Sequence, residues 1–316
     1  MKMLIAGSWP ESYLGQVRDA FPQMTFVMTP DPAVALREVV DADAIFGQPG
    51  REVILAGKQL KWIQSPSAGC EWMWNTPELP SLDITVTNMR GAHAATIAEH
   101  FFAMTLFMTR QFPTLLEAQR QRKWQRPVEP PPVGLSGRTL GVLGLGNIGR
   151  AIAQRGKGFD MRVIAVDVNE VEQPPYVDEL YRLDGLHTML EQADFQAIAI
   201  PITPESRGLI GAAQLELMKP TAYLGIMSRG KIVDEQALVG ALKENMLAGV
   251  GADVMATEPL PADDPLWDAP RVILSPHMSG QSAQTSGRVA EILAENIRRF
   301  LAGEELHNLV VKERGY

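Results

Sequence analysis

Residues 139–150 read Thr-Leu-Gly-Val-Leu-Gly-Leu-Gly-Asn-Ile-Gly-Arg. A short apolar run leads into Gly144, Gly146 and Gly149, a G-x-G-x-x-G spacing that predicts a strand, a tight turn and the N-terminus of a helix. Each glycine has its own reason: Gly144 makes the turn, Gly146 lets a pyrophosphate approach the backbone, and Gly149 lets helix and strand pack closely. The spacing is weak by itself, and the test is an acid at the end of the next strand about 20 residues on. The apolar run 161–166 ends at Asp167. A carboxylate there accepts both hydroxyls of an adenosine ribose and repels a 2′-phosphate, so the expected cofactor is NAD (NADH when reduced) and not NADP.

The whole chain bounds what surrounds this motif. Its 316 residues suffice for two domains of ordinary size. With 29 basic and 37 acidic residues the net charge is -8. No long block of one sign occurs, which argues against a nucleic acid or an anionic membrane as partner. The single cysteine, Cys70, cannot form an internal disulfide, and no C-x-x-C metal or redox motif is present, so no metal site is expected. The N-terminal Met-Lys-Met-Leu-Ile-Ala-Gly reads as a first strand rather than a signal peptide, and no apolar stretch reaches the roughly 18 residues of a membrane span. A soluble, cytoplasmic protein is the expectation.

Taken in order, the short apolar or β-branched runs 3–6, 24–28, 44–46, 61–64 and 84–87 alternate with helix-like segments such as 31–40 and 50–57. The pattern predicts a parallel sheet without a glycine fingerprint. Residues 93–110 form a helical candidate with Ile97, Phe101, Met104 and Met108 on one face, and the polar, proline-rich passage 119–132 reads as a linker or arm. Alternation resumes with strands near 139–143, 162–166, 196–200, 222–227, 249–254 and 271–274 and helices at 185–192, 211–218 and 234–245. That makes a second, doubly wound domain. A closing helix over 282–302 and the apolar run 309–311 would return to complete the first. The expected domains are therefore 1–95 plus 288–316, discontinuous and substrate-binding, and 96–287, dinucleotide-binding with a dimerisation arm.

Ligands of open α/β sheets bind at the carboxyl ends of the strands. Three such ends carry chemistry: 222–227 runs into Ser228 and Arg229, 249–254 leads through Asp253 to Glu258, and 271–274 ends at Ser275-Pro276-His277. Arg229 would grip an α-carboxylate and polarise the adjacent carbonyl through its planar fork of donors. His277 would give a proton to the new alkoxide and take it back in reverse. Glu258, hydrogen-bonded to His277, would orient the imidazole and favour its protonated form. Taken singly, each has a plainer reading as surface ion pair, loop histidine or turn residue. Their joint appearance after three successive strands decides for chemistry. His93, His100, His187 and His307 read as structural or solvent-facing, and Asp184 and Asp194 as helix caps.

Together these motifs resemble the D-isomer-specific 2-hydroxyacid dehydrogenase family over nearly the whole chain. The matching stretches begin with the nucleotide motif Gly141-Val-Leu-Gly-Leu-Gly-Asn-Ile-Gly149 and a second motif, Ile200-Pro-Ile-Thr-Pro-Glu-Ser-Arg-Gly-Leu-Ile210. An arginine motif from Ser228, an acid motif from Gly251 and the histidine motif Ser275-Pro-His277 follow. The resemblance implies two Rossmann-like doubly wound parallel-sheet domains with an active-site cleft between them, a homodimer, and the Arg229, Glu258, His277 triad. It also implies cofactor contacts from Gly144, Gly146, Asn147, Ile148, Gly149, Asp167, Pro201 and Thr203, with Asp253 at the nicotinamide carboxamide. Substrate contacts implied are the N–H groups of Ser67, Ala68 and Gly69, with Arg229 and His277. Two positions depart from the family pattern: Ile226 stands where asparagine is frequent, and Cys70-Glu71 where an aspartate often follows the loop. Glu258 argues against the related formate dehydrogenases, which carry glutamine there.

The expected function is NAD(H)-dependent interconversion of a 2-keto acid and a D-2-hydroxy acid, a small molecule whose side chain the sequence leaves open. Trp62, Trp72, Trp74 and Trp124 would line a pocket for a bulky side chain or fill a core and dimer seam, and packing is the reading preferred for most of them. One alternative is an NADPH-preferring glyoxylate or hydroxypyruvate reductase, against which Asp167 speaks, since neither Val168 nor Asn169 offers a cation. The other is a dinucleotide-sensing, corepressor-like binding protein.

Overall fold

In the computed structural model residues 1–312 are described; 313–316, the end of the range expected to close the first domain, lie outside the described residues. The elements run β1 (Lys2–Ala6), α1 (Glu11–Ala20), β2 (Thr25–Thr29), α2 (Pro32–Glu38), β3 (Ala44–Gly47), α3 (Arg51–Ala56), β4 (Trp62–Gln64), β5 (Thr85–Thr87), α4 (Ala94–Thr109) and α5 (Phe112–Arg120). They continue with β6 (Thr139–Leu143), α6 (Asn147–Gly158), β7 (Arg162–Val166), β8 (Glu179–Tyr181), α7 (Leu186–Gln192), β9 (Phe195–Ile198), α8 (Ala212–Glu216), β10 (Tyr223–Ile226), α9 (Glu235–Lys243), β11 (Gly249–Ala252), β12 (Val272–Leu274) and α10 (Ala283–Ala302). Two units result: one holds Met1–His93 and the chain from Gln281 on, the other Ala94–Gly280.

The first unit is a five-stranded sheet in the order β2-β1-β3-β4-β5, parallel throughout. Side chains alternate across it, as strand geometry requires. Met3, Ile5, Phe46 and Trp62 pack with Leu14 and Val17 of α1 and with Leu293 and Ile297 of α10. Leu4, Ile45, Ile63 and Val86 pack on the other side with Ala35, Val53 and Ile54. The last helix is fastened by a buried polar network. Asn296 Nδ2 donates to Gln64 Oε1 at 2.8 Å and to the His307 carbonyl at 3.1 Å, while Asn296 Oδ1 accepts from the His307 N–H at 2.8 Å. Thr87 joins in, donating to Gln64 Oε1 and accepting from Trp62 Nε1, both at 2.8 Å. Beyond it the tail pairs with the sheet edge, Val310 N–H donating to the Val86 carbonyl at 2.9 Å.

In the second unit seven parallel strands run β12-β11-β10-β9-β6-β7-β8, and the winding direction reverses between β6 and β9. Helix α4 sits close on the sheet because β10 and β11 present glycines: a Cβ on Gly225 would lie 2.4 Å from the Phe101 ring, and one on Gly251 would lie 3.1 Å from Met104. Strand β8 is not predicted by the sequence pattern, since Glu179-Leu-Tyr181 offers one aliphatic residue and is flanked by the charged Asp178 and Arg182. Pairing with β7 makes it a strand. The arm begins later than expected, because Gln119 and Arg120 complete the last turn of α5. Trp124 within it is 98% exposed and so fills no core.

Asp194 and Asp184 are not caps. Asp194 accepts from the Thr139 N–H and from Lys219 Nζ, both at 2.9 Å, pinning the start of β6, and Asp184 lies in a 3-10 turn ahead of α7. Among the described residues no helix is long and apolar enough to cross a membrane.

Replacing Asn296 by leucine leaves the His307 N–H and carbonyl without their buried partner. We expect a loss of about 2 kcal/mol, read as a lower denaturation midpoint by tryptophan fluorescence. An unchanged midpoint would show that helix α10 is held by apolar packing alone.

Candidate active site

The reversal of winding opens a crevice at the carboxyl ends of β6 and β9, where ligands of such sheets bind. The three glycines after β6 occupy it for distinct reasons. Gly144 has φ +94°, and a Cβ there would meet Ile200 Cγ2 at 2.7 Å. A Cβ on Gly149 would lie 1.8 Å from the Gly144 carbonyl oxygen, so only glycine lets α6 start so close to the turn. Gly146 is different: nothing lies within 4 Å of its Cβ position. It is also the N-cap of α6 and supplies no side-chain acceptor, so the first-turn N–H groups from Asn147, Ile148 and Gly149 onward form an anion-binding end. Open space over a glycine and an uncapped helix are what a pyrophosphate needs, and the crevice fits a dinucleotide.

Asp167 follows β7. Its Oδ2 accepts from the Leu145 N–H and its Oδ1 from the Asn169 N–H, both at 2.8 Å, which fixes the carboxylate at the edge of the glycine turn. After β9, Ser206 Oγ accepts from the Thr203 N–H and donates to the Pro201 carbonyl, each at 2.8 Å. The unpredicted strand β8 brings a residue that the linear reading missed. Tyr181 O accepts from the Asp167 N–H at 3.1 Å, and the next residue, Arg182, donates through Nη2 to the Val168 carbonyl at 2.6 Å. A guanidinium is therefore held at the backbone carbonyl of the residue that follows the acid. Only recognition of β8 as a strand would have shown it.

The three strand ends named for chemistry lie on β10, β11 and β12. Glu258 Oε1 accepts from the Met255 N–H at 3.0 Å, and Oε2 is 2.7 Å from His277 Nδ1. That contact puts a proton on Nδ1 and aims Nε2 away from the carboxylate. Arg229 is half-buried, its Nη1 donating to the Ser228 carbonyl at 2.7 Å. The turn after it abuts the Glu258 loop: a Cβ on Gly230 would lie 2.0 Å from the Met255 carbonyl carbon. Glu235 braces the same loop by accepting from the Ala256 N–H at 2.6 Å, and burial pushes its carboxyl above the usual range.

His277 has φ +50°, the left-handed region that costs a non-glycine residue roughly 1–2 kcal/mol. Asp253 holds it there. The Asp253 carbonyl accepts from the His277 N–H at 2.8 Å, and its fully buried carboxylate accepts from Ser275 Oγ at 2.5 Å and from the N–H groups of Met278 and Ser279 at 2.9 Å. Burial alone would raise this carboxyl, but the bonds from Ser275, Ser279 and Met278 outweigh it and hold it below the usual range. His100, read from the sequence as a bystander, reaches Ser275 Oγ with Nε2 at 2.9 Å.

In the first unit the loop after β4 is folded by its own contacts. Gly69 N–H donates to Ser67 Oγ at 3.1 Å, Met89 N–H to the Ser67 carbonyl at 3.1 Å, and Asn88 Nδ2 to the Ala68 carbonyl at 2.8 Å. Trp62, on β4, is fully buried in the core shared with α1 and α10, and Trp74 is exposed. Among the described residues no cluster of histidine, cysteine or carboxylate side chains has the arrangement of a metal site.

Comparison with known proteins adds identity to this geometry. The model of the D-isomer specific 2-hydroxyacid dehydrogenase NAD binding domain matches residues 102–279. A glyoxylate reductase of Korarchaeum cryptofilum is 37% identical over 292 residues, covering 90% of this chain and 87% of its own. Among solved structures, a D-isomer specific 2-hydroxyacid dehydrogenase family protein from Aeromonas salmonicida superposes with a TM-score of 0.88 at 31% identity, covering 98% of this chain and 99% of its own. One from Xanthobacter autotrophicus, in complex with NADPH and MES, gives a TM-score of 0.84 at 25% identity, covering 100% of this chain and 99% of its own.

The state of Asp253 sets an acid limit on stability. Because its native carboxyl sits below the unfolded value of about 3.9, the stability it contributes is complete above that value and is lost as pH falls through the native one. Denaturation midpoints should drop below about pH 4, and Asp253→Asn should flatten that drop. An unaltered acid profile in the variant would place the titration elsewhere.

Proposed function

Because the chain belongs to the D-isomer specific 2-hydroxyacid dehydrogenase family, we propose that this oxidoreductase reduces a 2-keto acid to the D-2-hydroxy acid with NADH, or runs the reverse with NAD. The observation that carries the proposal is the 2.7 Å contact between Glu258 Oε2 and His277 Nδ1. It gives one imidazole a fixed tautomer and orientation, with Nδ1–H donated to the carboxylate. His277 Nε2–H donates to the carbonyl oxygen during reduction and accepts the hydroxyl proton in the reverse direction. Arg229 takes the substrate carboxylate and polarises the neighbouring carbonyl. In the first unit, the N–H groups of Ser67, Ala68 and Gly69 would bind substrate.

The dinucleotide would be held by Gly144, Gly146, Asn147, Ile148 and Gly149 at the pyrophosphate, by Asp167 at the ribose, and by Pro201 and Thr203 toward the nicotinamide, whereas Asp253, expected there as a direct contact, is fully buried against Ser275, Met278 and Ser279 and would act through their loop. When bound it supplies or accepts the hydride. The name of the Korarchaeum relative makes glyoxylate the first substrate to offer. A homodimer is part of the reading, supported by exposed Phe112, Leu115, Leu116 and Trp124 on α5 and the arm. Buried Cys70, which needs no disulfide partner, accords with a reducing cytoplasm.

One observation favours NADPH as a second reading. Arg182, held at the carbonyl of Val168 next to Asp167 in sequence, is a cation suited to a 2′-phosphate, and the Xanthobacter relative was solved with NADPH. Asp167 opposes that charge, so NADH is preferred.

Initial rates with NADH and NADPH against glyoxylate, hydroxypyruvate, pyruvate and phenylpyruvate test the proposal. NADH should give the larger kcat/KM, and no turnover with any acid would reject the reading. His277→Ala should lose a factor on the order of 10²–10⁴ in kcat, and a variant of near wild-type rate would remove His277 from the chemistry. Asp167→Ala should raise the rate with NADPH relative to NADH, and adding Arg182→Ala should cancel the gain. If the double variant keeps it, the cation beside the ribose lies elsewhere.

A further inference from the structure

We infer that His100 is a positioning residue for His277, acting through the hydroxyl of Ser275 and the buried carboxylate of Asp253. The inference deepens the proposed function and rests on His277 as proton donor.

The hydrogen count decides the direction of the relay. Ser275 Oγ lies 2.5 Å from Asp253 Oδ1, and a carboxylate only accepts, so the one hydroxyl hydrogen points to Asp253. Toward His100, 2.9 Å away, the same oxygen must accept, which assigns the proton of His100 to Nε2. The direct distance from His100 Nε2 to Asp253 Oδ1 is 3.9 Å, too long for a hydrogen bond, so the coupling passes through the hydroxyl. His100 itself has little freedom. The next residue on α4, Phe101, fills the space left by Gly225, and Met104 one turn on fills that left by Gly251.

The consequence falls on His277. The segment 275–279 is attached to Asp253 by the Ser275 hydroxyl and by the N–H groups of His277, Met278 and Ser279. His277 occupies a left-handed conformation that it would leave if the attachment loosened, and leaving it breaks the 2.7 Å contact with Glu258. A donor on α4 that fixes the rotor of Ser275 therefore stiffens the attachment that aims the imidazole. A histidine that merely fills space would be replaced equally well by any side chain of its size.

The test compares His100→Gln, which keeps a donor near the Nε2 position, with His100→Leu, Ser275→Ala and the Leu/Ala double variant. Steady-state rates are read with NADH and glyoxylate, and the side-chain Nδ1–H of His277 by nitrogen-edited NMR. Loss of one hydrogen bond should lower kcat about fivefold in His100→Leu with the KM for NADH unchanged. His100→Gln should stay within about twofold, and His100→Leu should add nothing to Ser275→Ala. The Nδ1–H signal should persist in the wild type and His100→Gln and broaden in His100→Leu. Equal losses in the glutamine and leucine variants, additive losses in the double variant, or an unbroadened signal would overturn the inference. If the wild type reduces no 2-keto acid, the proposed function fails on that result, and the NMR comparison still decides the positioning role. Should the leucine variant not fold, Ser275→Ala and His100→Gln carry the same comparison.

Discussion

A carboxylate without access to water organises the second unit. Removing such a charge from solvent costs several kcal/mol, and Asp253 offsets that cost with donors from a single stretch of chain, Ser275, Met278 and Ser279. Two consequences come from one arrangement. The charge is kept, because the bonds it accepts favour the ionised form, and the loop after β12 acquires one geometry, because its own N–H groups make those bonds. A hydrophobic residue at 253 would be cheaper to bury and would leave residues 275–279 without a template. His277 shows the strain this template imposes, in a backbone region that side chains other than glycine seldom enter.

Around that charge, the site depends as much on missing atoms as on present ones. Gly230 lets the arginine turn lie on the carbonyl of Met255, Gly149 lets α6 begin against Gly144, and Gly225 admits Phe101. Each contact draws a chemical group inward by about the width of a methyl. Parallel strands then do the gathering, since every strand of a parallel sheet delivers its carboxyl end to the same edge. Arginine, carboxylate and histidine reach one edge although the chain between them is long, and the acid and imidazole meet there.

Much of this was legible in the chain, for reasons that differ between residues. Strands β6 and β7 announce themselves because buried parallel strands are continuous apolar runs, and the glycine spacing after β6 leaves few other folds. The contact of Glu258 with His277 follows from the same-edge rule once β11 and β12 are recognised. What escaped is what depends on pairing across distance. Glu179-Leu-Tyr181 becomes a strand only because β7 is there to receive it, and Arg182 is hidden with it. Asp194 looks like a cap to a local rule, whereas its partners Thr139 and Lys219 are 55 and 25 residues away. His100 shares a helix with apolar neighbours, and nothing in its spacing reveals a serine 175 residues distant.

The discontinuity of the first unit bears on how the chain is made. Met3, Ile5, Phe46 and Trp62 are covered on one face by Leu293 and Ile297 of α10. On the ribosome the strands emerge first, and that cover emerges only after the whole of Ala94–Gly280 has been translated. The second unit, continuous in sequence, has every residue it needs while the first still shows a bare apolar face to the cytosol or to a chaperone. Completion of the first unit therefore waits for the last helix of the chain, and a chain cut short before residue 283 and released would carry a complete second unit beside an open, adhesive sheet at its leading end.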